Sequence, residues 1–305
     1  MTGDHGGAPI ASGESDLAGT EAEIPSGADE IASKGSEISR VQRLVVAQLC
    51  GPAERLPVHV VAETGSTNAD LLRPLSVAET PACALLALRQ TAGRGRQGRI
   101  WHSGSDTLTV SVRWPFHRPA SALAGLPLAV AVAISQGLED LAVTGVAIKW
   151  PNDLLRHQRK VGGILVELTP PGIRQVAVIG IGLNIRLPAR LADQIGQPAA
   201  DLQPQQDLRP SATGGPALPP TITRESVLAA VLNRLIPALE AFDTHGLAAF
   251  LADWTARACW LGRPVQLGDR QGFLHGVDAD GALLLRTDHG IERHLAGDLS
   301  LRPLT

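Results

Sequence analysis

The sequence contains few cysteines, and this excludes two classes of small stabilised fold. Cys50, Cys83 and Cys259 are the three cysteines among 305 residues, and they form no C-x-x-C pair and have no nearby histidine partner. Neither a disulfide framework nor a zinc site is therefore predicted, and a reducing cytoplasm fits this usage. The N-terminus also lacks the positive and apolar segments of a secretory signal, so a cytoplasmic protein is expected.

A long hydrophobic run and a strong charge imbalance are absent as well. The longest apolar stretch, residues 122–134, is interrupted by Gly125 and Pro127 and is shorter than the roughly 18 to 20 residues that span a membrane. It predicts a buried helix, and no membrane association is expected. Residues 37–305 carry a formal charge of +3 from 26 basic and 23 acidic residues. Such a mild balance gives no support to large-scale nucleic-acid binding.

Composition and periodicity predict three regions. Residues 1–36 are rich in Gly, Ala, Ser and Glu and bury too little apolar surface to offset the entropy of ordering, so a disordered tail is predicted. Residues 37–257 form the predicted main domain, with a first helix at residues 38–50 and a mobile Pro/Gln/Gly-rich loop at residues 196–220. In residues 258–305, short apolar runs alternate with turns that contain Gly and Asp, and about five strands in a small barrel are predicted.

The main domain combines strands and helices in an order typical of an α+β fold. Several strands follow one another without an intervening helix, so a mixed sheet is predicted rather than a doubly wound parallel sheet. The predicted strands are residues 58–62, 84–88, 107–113, 146–149, 164–168 and 176–185, and the predicted helices are residues 67–72, 121–141, 225–242 and 247–257.

A loop rich in glycine and arginine follows the second predicted strand. From Arg89 to Ser103 it reads Arg-Gln-Thr-Ala-Gly-Arg-Gly-Arg-Gln-Gly-Arg-Ile-Trp-His-Ser. Glycines let backbone N–H groups approach a ligand closely, and arginines add forked, permanently charged donors that suit phosphate or carboxylate oxygens. The loop predicts an anion site, although a solvated basic loop that touches nucleic acid has the same composition.

Four further segments place polar groups at the ends of strands or loops. They are Ser66-Thr67-Asn68, Lys149-Trp-Pro-Asn-Asp153, Lys160-Val-Gly-Gly-Ile164 and Gly180-Ile-Gly-Leu-Asn184. The first is typical of helix N-caps, and its hydroxyls could equally bind a small polar ligand. The Gly-Gly pair suits a ligand that approaches a strand backbone. The Gly-x-Gly lacks the third glycine of a dinucleotide fingerprint.

Together these segments supply hydroxyls, fixed cations and a carboxylate to one domain, and this inventory suits nucleotidyl transfer. Adenylating a carboxylate joins two anions, and positioned Arg and Lys side chains lower that barrier by neutralising both. The sequence has no Walker lysine motif, nucleophile elbow or H-E-x-x-H motif that would indicate another chemistry.

In this combination, with Gln90 and Trp101 in the glycine/arginine loop, the sequence resembles the biotin protein ligases over roughly residues 57–302. The resemblance implies a mixed-sheet catalytic domain of the biotin–lipoyl ligase type, similar to class II synthetases, followed by a small SH3-like β-barrel. It also implies a two-step reaction. Biotin and MgATP give biotinyl-5′-AMP and pyrophosphate, and a lysine of a biotin carboxyl carrier domain then takes the biotinyl group.

The resemblance further implies roles for individual residues. Lys160 would bridge the biotin carboxylate and the α-phosphate as the main catalytic electrophile, and Arg94 and Arg96 would hold the acyl-phosphate. Asp153 would either hold Mg²⁺ or orient the acceptor lysine, and both readings stay open. The remaining implied contacts with biotin or ATP are Ser66, Thr67, Asn68, Gln90, Gly93, Trp101, Lys149, Asn152, Gly163, Asn184 and Arg302.

Two features depart from the family pattern. Bifunctional members carry an N-terminal DNA-binding winged helix, and a predicted tail and one helix stand in its place here, so a monofunctional ligase that does not bind DNA is expected. No tryptophan lies in residues 196–220, where some members place an aromatic ring over the adenine. A lipoate–protein ligase and a non-catalytic regulator that binds biotinyl-AMP remain alternatives, and a homodimer is one candidate assembly.

Overall fold

The computed structural model describes residues 1–3, 27–73, 81–104, 106–170, 174–188, 192, 196–203, 222–296 and 299–304, and it contains two β-sheets. The strands of the larger sheet are β1 (Val58–Thr64), β2 (Cys83–Gln90), β3 (Thr107–Phe116), β4 (Val146–Lys149), β5 (Asp153–Arg156), β6 (Arg159–Leu168) and β7 (Gln175–Asn184). They pair in the order β1-β2-β3-β7-β6-β5-β4, with β1 parallel to β2 and the other pairs antiparallel. The predicted mixed sheet is confirmed.

The smaller sheet is antiparallel and lies at the C-terminal end of the chain. Its strands are β8 (Pro264–Leu267), β9 (Arg270–Val277), β10 (Leu283–Thr287), β11 (Gly290–His294) and β12 (Leu301–Pro303), in the order β11-β10-β9-β8-β12. The indole N–H of Trp150 donates to the Gly281 carbonyl at 3.0 Å and so connects the two sheets. The α+β class with a small C-terminal domain of the SH3-like type is confirmed, while the boundary at residues 257–258 stays a prediction.

In the part of the chain that the structure describes, five helices cover the larger sheet, and the third is the core helix. They are α1 (Gly27–Val46), α2 (Thr67–Leu72), α3 (Leu126–Asp140), α4 (Arg224–His245) and α5 (Leu251–Arg257). Within the described residues one helical stretch, Ala120–Asp140, is long and apolar enough to cross a membrane, and 72% of its most apolar window is buried inside the protein. Because the sheet and α4 cover this stretch, its uniform hydrophobicity is that of the predicted core helix.

The two faces of the larger sheet carry different partners. Ile179 and Ile181 of β7 belong to the main core with α3, whereas Val178 joins a smaller cluster with Leu71 of α2. Side chains alternate along a strand, so α2 lies on the opposite face from α3. Thr109 and Ser111 of β3, Gly163 and Glu167 of β6, and Gly180 and Gly182 of β7 are on the α2 face, since they alternate with residues of the main core.

Several element boundaries differ from the sequence prediction. The first helix begins at Gly27 instead of residue 38, so residues 27–36 of the predicted disordered tail are helical. Val41 and Val45 are buried on this helix, and a helix anchored by such packing extends at little cost once it is nucleated. Residues 4–26 of the predicted tail lie outside the described residues.

Strand β5 is the one strand of the larger sheet that the sequence does not predict. It follows directly after the Pro-Asn turn and forms a hairpin with β6, which begins at Arg159 instead of residue 164. Gly162 and Gly163 conceal the first half of β6 in the sequence pattern, because glycine has low strand propensity. Residues 204–220 of the predicted mobile loop lie outside the described residues.

Candidate active site

The α2 face of the larger sheet has a floor of small residues. The strand register places Gly182 beside Gly163, and Gly180 beside Ser111. Because side chains alternate along a strand, both glycines of the Gly-x-Gly segment lie on this face. A Cβ on Gly180 would overlap the Asn68 side chain. The side chains of Asn68 and Trp101 lie directly over Gly180 and Gly182, and these residues line a cavity of about 390 Å³ above the sheet.

One part of this cavity is a network of hydroxyl and amide groups. Ser66 caps the N-terminus of α2. The Thr67 backbone N–H donates to Gln90 Oε1 at 2.8 Å, and Thr67 Oγ1 lies 2.6 Å from Ser111 Oγ. The Ser111 hydroxyl donates to Asn68 Oδ1 at 2.5 Å. Ser111 is fully buried and Thr67 and Asn68 are nearly so, so these groups form a rigid polar pocket.

A second part of the cavity is cationic. Lys160 Nζ lies 2.6 Å from Asp153 Oδ1, and Lys149 Nζ lies 3.6 Å from Asp153 Oδ2. The hairpin registers produce this group, because Lys149 pairs with Asp153 and Asp153 pairs with Gly163. The three charged side chains are between 14% and 19% exposed, so water screens them less than it screens surface charges. One carboxylate between two ammonium groups leaves a net positive charge.

The glycine/arginine loop folds back on itself beside the cavity. The Gly95 N–H donates to the Arg99 carbonyl at 2.7 Å, and the Trp101 N–H donates to the Gly93 carbonyl at 2.9 Å. At the tip, Gln97 and Gly98 adopt positive φ angles of 57° and 69°. Such angles favour glycine.

Two arginines of this loop reach different parts of the site. Arg96 donates from Nη1 to Asn152 Oδ1 at 3.2 Å and from Nη2 to the Ala296 carbonyl at 2.9 Å. Arg94 forms an ion pair with Glu167, with 3.2 Å between Nη2 and Oε1. The loop is thus held at the β4–β5 turn, at the C-terminal region and at β6.

Trp101 forms one wall of the cavity. A Cβ on Gly182 would lie 2.5 Å from Cε2 and Cζ2 of Trp101, so the indole ring lies directly on the glycine backbone. Its Nε1 is buried and finds no hydrogen-bond partner among the described residues. An unpaired buried donor costs roughly 1–3 kcal/mol, and a ligand acceptor would recover this energy.

Asn184 and the backbone of Lys160 hold the segment that follows residue 196. Asn184 Nδ2 donates to the Ala200 carbonyl at 3.0 Å. The Lys160 N–H donates to the Pro198 carbonyl at 2.9 Å, and the Lys160 carbonyl accepts from the Ala200 N–H at 2.8 Å. The backbone of Lys160 is therefore fixed by hydrogen bonds that do not involve Asp153.

Thirteen of the predicted site residues line this one cavity: Ser66, Thr67, Asn68, Gln90, Arg94, Arg96, Trp101, Lys149, Asn152, Asp153, Lys160, Gly163 and Asn184. Gly93 does not line it. A Cβ there would lie 2.5 Å from the Trp101 carbonyl oxygen, so the glycine allows the two strands of the loop to approach each other closely. Arg302 is exposed on β12 and does not line the cavity either, although Leu299 and Ser300 do. Residues 297 and 298 lie outside the described residues.

The sequence reasoning missed several polar groups of the site. Thr109 and Ser111 of β3 line the cavity, and Glu167 of β6 hydrogen-bonds Asn68. The signal for β3 is present in the sequence, because Thr and Ser alternate with buried Leu and Val along the strand. Nothing local marks Glu167, whose partners come from α2 and the glycine/arginine loop. Gln197 also lines the cavity, from the segment that Asn184 holds.

Cys259 lies near the ionic group of Lys149, Asp153 and Lys160, and its thiol is unreactive. Burial raises the pKa of its thiol to about 12, while the charge of Lys149 has a smaller, opposing effect. A thiol with such a pKa stays protonated at neutral pH and is a poor nucleophile. We therefore assign no role in catalysis to Cys259.

Comparison with known proteins places these residues in a family. Residues 64–184 match the family model described as the biotin/lipoate A/B protein ligase family. The chain is 33% identical over 268 residues to the bifunctional ligase/repressor BirA of Escherichia coli, across 86% of this chain and 79% of that protein. The chain belongs to the biotin protein ligase family.

Two further members of the biotin protein ligase family agree with this assignment. The chain is 34% identical over 248 residues to the biotin–[acetyl-CoA-carboxylase] ligase of Paracoccus denitrificans, across 76% of this chain and 95% of that one. The structure of the biotin protein ligase from Aquifex aeolicus in complex with biotin and ATP superimposes with a TM-score of 0.64 at 28% identity, covering 81% of this chain and 99% of that chain. The family resemblance of the motifs is confirmed.

Proposed function

We propose that this chain is an ATP-dependent biotin–[acetyl-CoA-carboxylase] ligase. In the first step an oxygen of the biotin carboxylate attacks the α-phosphorus of ATP and pyrophosphate leaves. In the second step the amine of an acceptor lysine attacks the acyl carbon of biotinyl-5′-AMP, and AMP leaves. The observation that carries the proposal is the continuity of one cavity from the hydroxyl pocket at Thr67 to the cationic group at Lys160.

The hydroxyl pocket suits the ureido ring of biotin. A ureido group carries two N–H donors and one carbonyl acceptor, and each costs roughly 1–3 kcal/mol if it is buried without a partner. The hydroxyls of Ser66, Thr67 and Ser111 and the amide of Gln90 line this part of the cavity. Gly163 has no side chain and lines the same cavity, so a flat bicyclic ring can approach the strand backbone there.

The cationic group suits the two anions that react. Lys160, Lys149 and Arg96 line the same part of the cavity with Asp153, so the cations outnumber the carboxylates. We assign Lys160 as the residue that bridges the biotin carboxylate and the α-phosphate, because its ammonium group is already fixed at 2.6 Å from Asp153. A positioned charge stabilises a transition state without the cost of reorganising it.

Arg94 and Arg96 would hold the acyl-phosphate after the first step. The unpaired indole N–H of Trp101 and the polar groups of Asn152 and Asn184 offer further contacts to biotin or the nucleotide. Hydrogen bonds from Arg96 to Asn152 and to the Ala296 carbonyl hold the loop beside the cavity. Closing over the intermediate would protect biotinyl-AMP from water.

Asp153 fits the orientation of a lysine better than it fits a metal. Its two oxygens face Lys160 at 2.6 Å and Lys149 at 3.6 Å, and a divalent cation would have to displace these ammonium groups. No group of three or more His, Cys, Asp or Glu side chains suited to a metal occurs among the described residues. Mg²⁺ commonly binds through substrate phosphates, so we propose that Mg²⁺ accompanies ATP as part of the substrate.

The proposed acceptor is a biotin carboxyl carrier domain of a biotin-dependent carboxylase in the cytoplasm. The carboxylate of Asp153 at the cationic end of the cavity would guide the incoming lysine amine. Arg302 remains a proposed contact to ATP, reached from the C-terminal sheet beside Leu299 and Ser300.

Transfer of labelled biotin to a biotin carrier domain tests the proposal directly. The purified chain is incubated with ATP, labelled biotin and the carrier domain, and lipoate with a lipoyl domain is run in parallel. ATP-dependent labelling of the biotin carrier alone is expected. Labelling of the lipoyl domain would favour the lipoate ligase, and adenylate without transfer would favour the regulator. No reaction with either acid would refute both ligase readings.

A further inference from the structure

Glu167 lies outside the cavity but is joined to it by two of the lining side chains. Its Oε2 accepts a hydrogen bond from Asn68 Nδ2 at 2.8 Å, and its Oε1 lies 3.2 Å from Arg94 Nη2. Asn68 and Arg94 line the cavity, whereas Glu167 does not. Any effect of Glu167 on a ligand therefore acts through these neighbours.

The carboxylate of Glu167 fixes the direction of the Asn68 amide. An ionised carboxylate accepts hydrogen bonds and cannot donate one, so it holds the NH₂ group of Asn68. The same NH₂ group donates to the Leu165 carbonyl at 3.3 Å. The Asn68 oxygen consequently points to the other side, where the Ser111 hydroxyl donates to it at 2.5 Å. A flipped amide would set its oxygen against both the carboxylate and the carbonyl.

The orientation of the Asn68 amide determines where the hydroxyl protons of Ser111 and Thr67 point. The single hydroxyl proton of Ser111 goes to Asn68. Thr67 therefore gives its own proton either to Ser111 Oγ at 2.6 Å or to Gln90 Oε1 at 3.0 Å. In both cases the hydroxyls of Thr67 and Ser111 present only lone pairs to the cavity. That side of the pocket is an acceptor surface.

We propose that Glu167 is a positioning residue that makes the pocket select ligands carrying N–H donors, such as the ureido ring of biotin. The inference rests on the proposed function, which puts that ring at Thr67. A ligand N–H donates a hydrogen bond to a hydroxyl lone pair there. A ligand oxygen in the same place would repel the hydroxyl oxygen, because both carry lone pairs and neither has a proton to donate. Sites built around such a hydrogen bond reject an analogue that lacks it far more strongly than apolar pockets reject a change of size.

A carboxylate serves this purpose better than an amide at the same position. In Glu167→Gln the new side chain offers either an oxygen or an NH₂ group to Asn68, so both directions of the Asn68 amide become accessible. The hydroxyl protons of Ser111 and Thr67 are then free to point into the cavity. The ion pair with Arg94 holds the carboxylate in place from the loop side.

Calorimetric titration with two ligands tests this inference. The probes are biotin and its isosteric cyclic carbamate, in which an oxygen replaces one ureido N–H, and the measured quantity is the ratio of their Kd values. The ratio should be at least about 100 in the wild-type chain and should fall at least about tenfold in Glu167→Gln. Because both Kd values come from the same variant, a partial loss of folded protein cancels from the ratio.

A matched control separates this effect from the loss of an ion pair. Glu63 pairs with Arg89 at 2.5 Å, its side chain is 49% exposed, and it does not line the cavity. Glu63→Gln should leave the ratio unchanged. An unchanged ratio in Glu167→Gln, or an equal fall in Glu63→Gln, would overturn the inference.

A double-mutant experiment with Ser111 tests whether Glu167 affects the ratio of Kd values through this hydroxyl. In a Ser111→Ala background the hydroxyl that relays the direction of Asn68 is gone, so Glu167→Gln should change the ratio by less than about threefold, a clear departure from additivity. Full additivity of the two substitutions would overturn the inference. A wild-type chain that does not bind biotin would instead overturn the proposed function, so the two failures are distinguishable.

Discussion

Replacing Lys160 with alanine is expected to slow the adenylation of biotin by at least about 100-fold. Its ammonium group is held 2.6 Å from Asp153 Oδ1 and its side chain is 19% exposed, so it is a positioned charge in a partly dry site. Loss of one preorganised donor typically costs about 10²–10³ in kcat, or about 2.7–4 kcal/mol of transition-state stabilisation. Lys149 cannot replace it, because the freed carboxylate of Asp153 becomes available to pair with Lys149 more closely.

Pyrophosphate release under single-turnover conditions measures this step without the acceptor domain. The fold should persist, because the backbone of Lys160 keeps its hydrogen bonds to Pro198 and Ala200, and a thermal melt checks this. Arg159→Ala is the matched control, since it removes the adjacent exposed cation of β6, which does not line the cavity. A rate for Lys160→Ala within about threefold of wild type, less than 1 kcal/mol in the barrier, would refute the role of Lys160.

Three further predictions address the glycine/arginine loop, Gly180 and the buried thiol of Cys259. Arg96→Gly should still form biotinyl-AMP but release it, so labelling of bystander lysines in a protein mixture should rise; unchanged retention of the adenylate would contradict a closing role for the loop. Gly180→Ala places a methyl group against the Asn68 side chain and should raise the calorimetric Kd for biotin by about tenfold or more, since overpacking costs about 1–3 kcal/mol; an unaltered Kd would argue against biotin at this floor. Burial raises the pKa of Cys259 to about 12. The folding stability that the buried, protonated thiol contributes is therefore fully present below the pKa of a free thiol, 9.0, and is lost as the pH rises through about 12. In the folded chain at neutral pH, iodoacetamide should modify exposed Cys50 and spare Cys259, as peptide masses would show, and equal rates would be inconsistent with this burial.

Local signals in the sequence were sufficient for elements whose ends are marked by strong start and stop residues. Helix α2 runs over Thr67–Leu72, as predicted, because Ser66 is an effective N-cap. Strand β4 over Val146–Lys149 is also as predicted, since a proline turn follows it directly. Strand β5 escaped prediction because it has only 4 residues and lies between two turns, which leaves too short a segment for a strand pattern.

The residues that we propose bind anions could be recognised in the sequence for a similar reason. Arginine, lysine and glycine in close succession suit few purposes other than contact with a charged ligand, and Arg96 and Lys160 stand in such segments. The N-terminal helix was underestimated, because its length depends on the burial of Val41 and Val45 against the rest of the chain. Tertiary packing of this kind leaves only a weak trace in the composition.

The sequence by itself therefore determined the inventory of the site and the order of its segments. Only the tertiary structure decided which groups meet, because strand register and alternation bring together residues far apart in the chain. Ser111 contacts Asn68 across 43 positions, and Glu167 contacts Asn68 across 99. Two lysines share the single carboxylate of Asp153 because two hairpins align them. The polarity of the pocket is a property of these contacts and of no single segment.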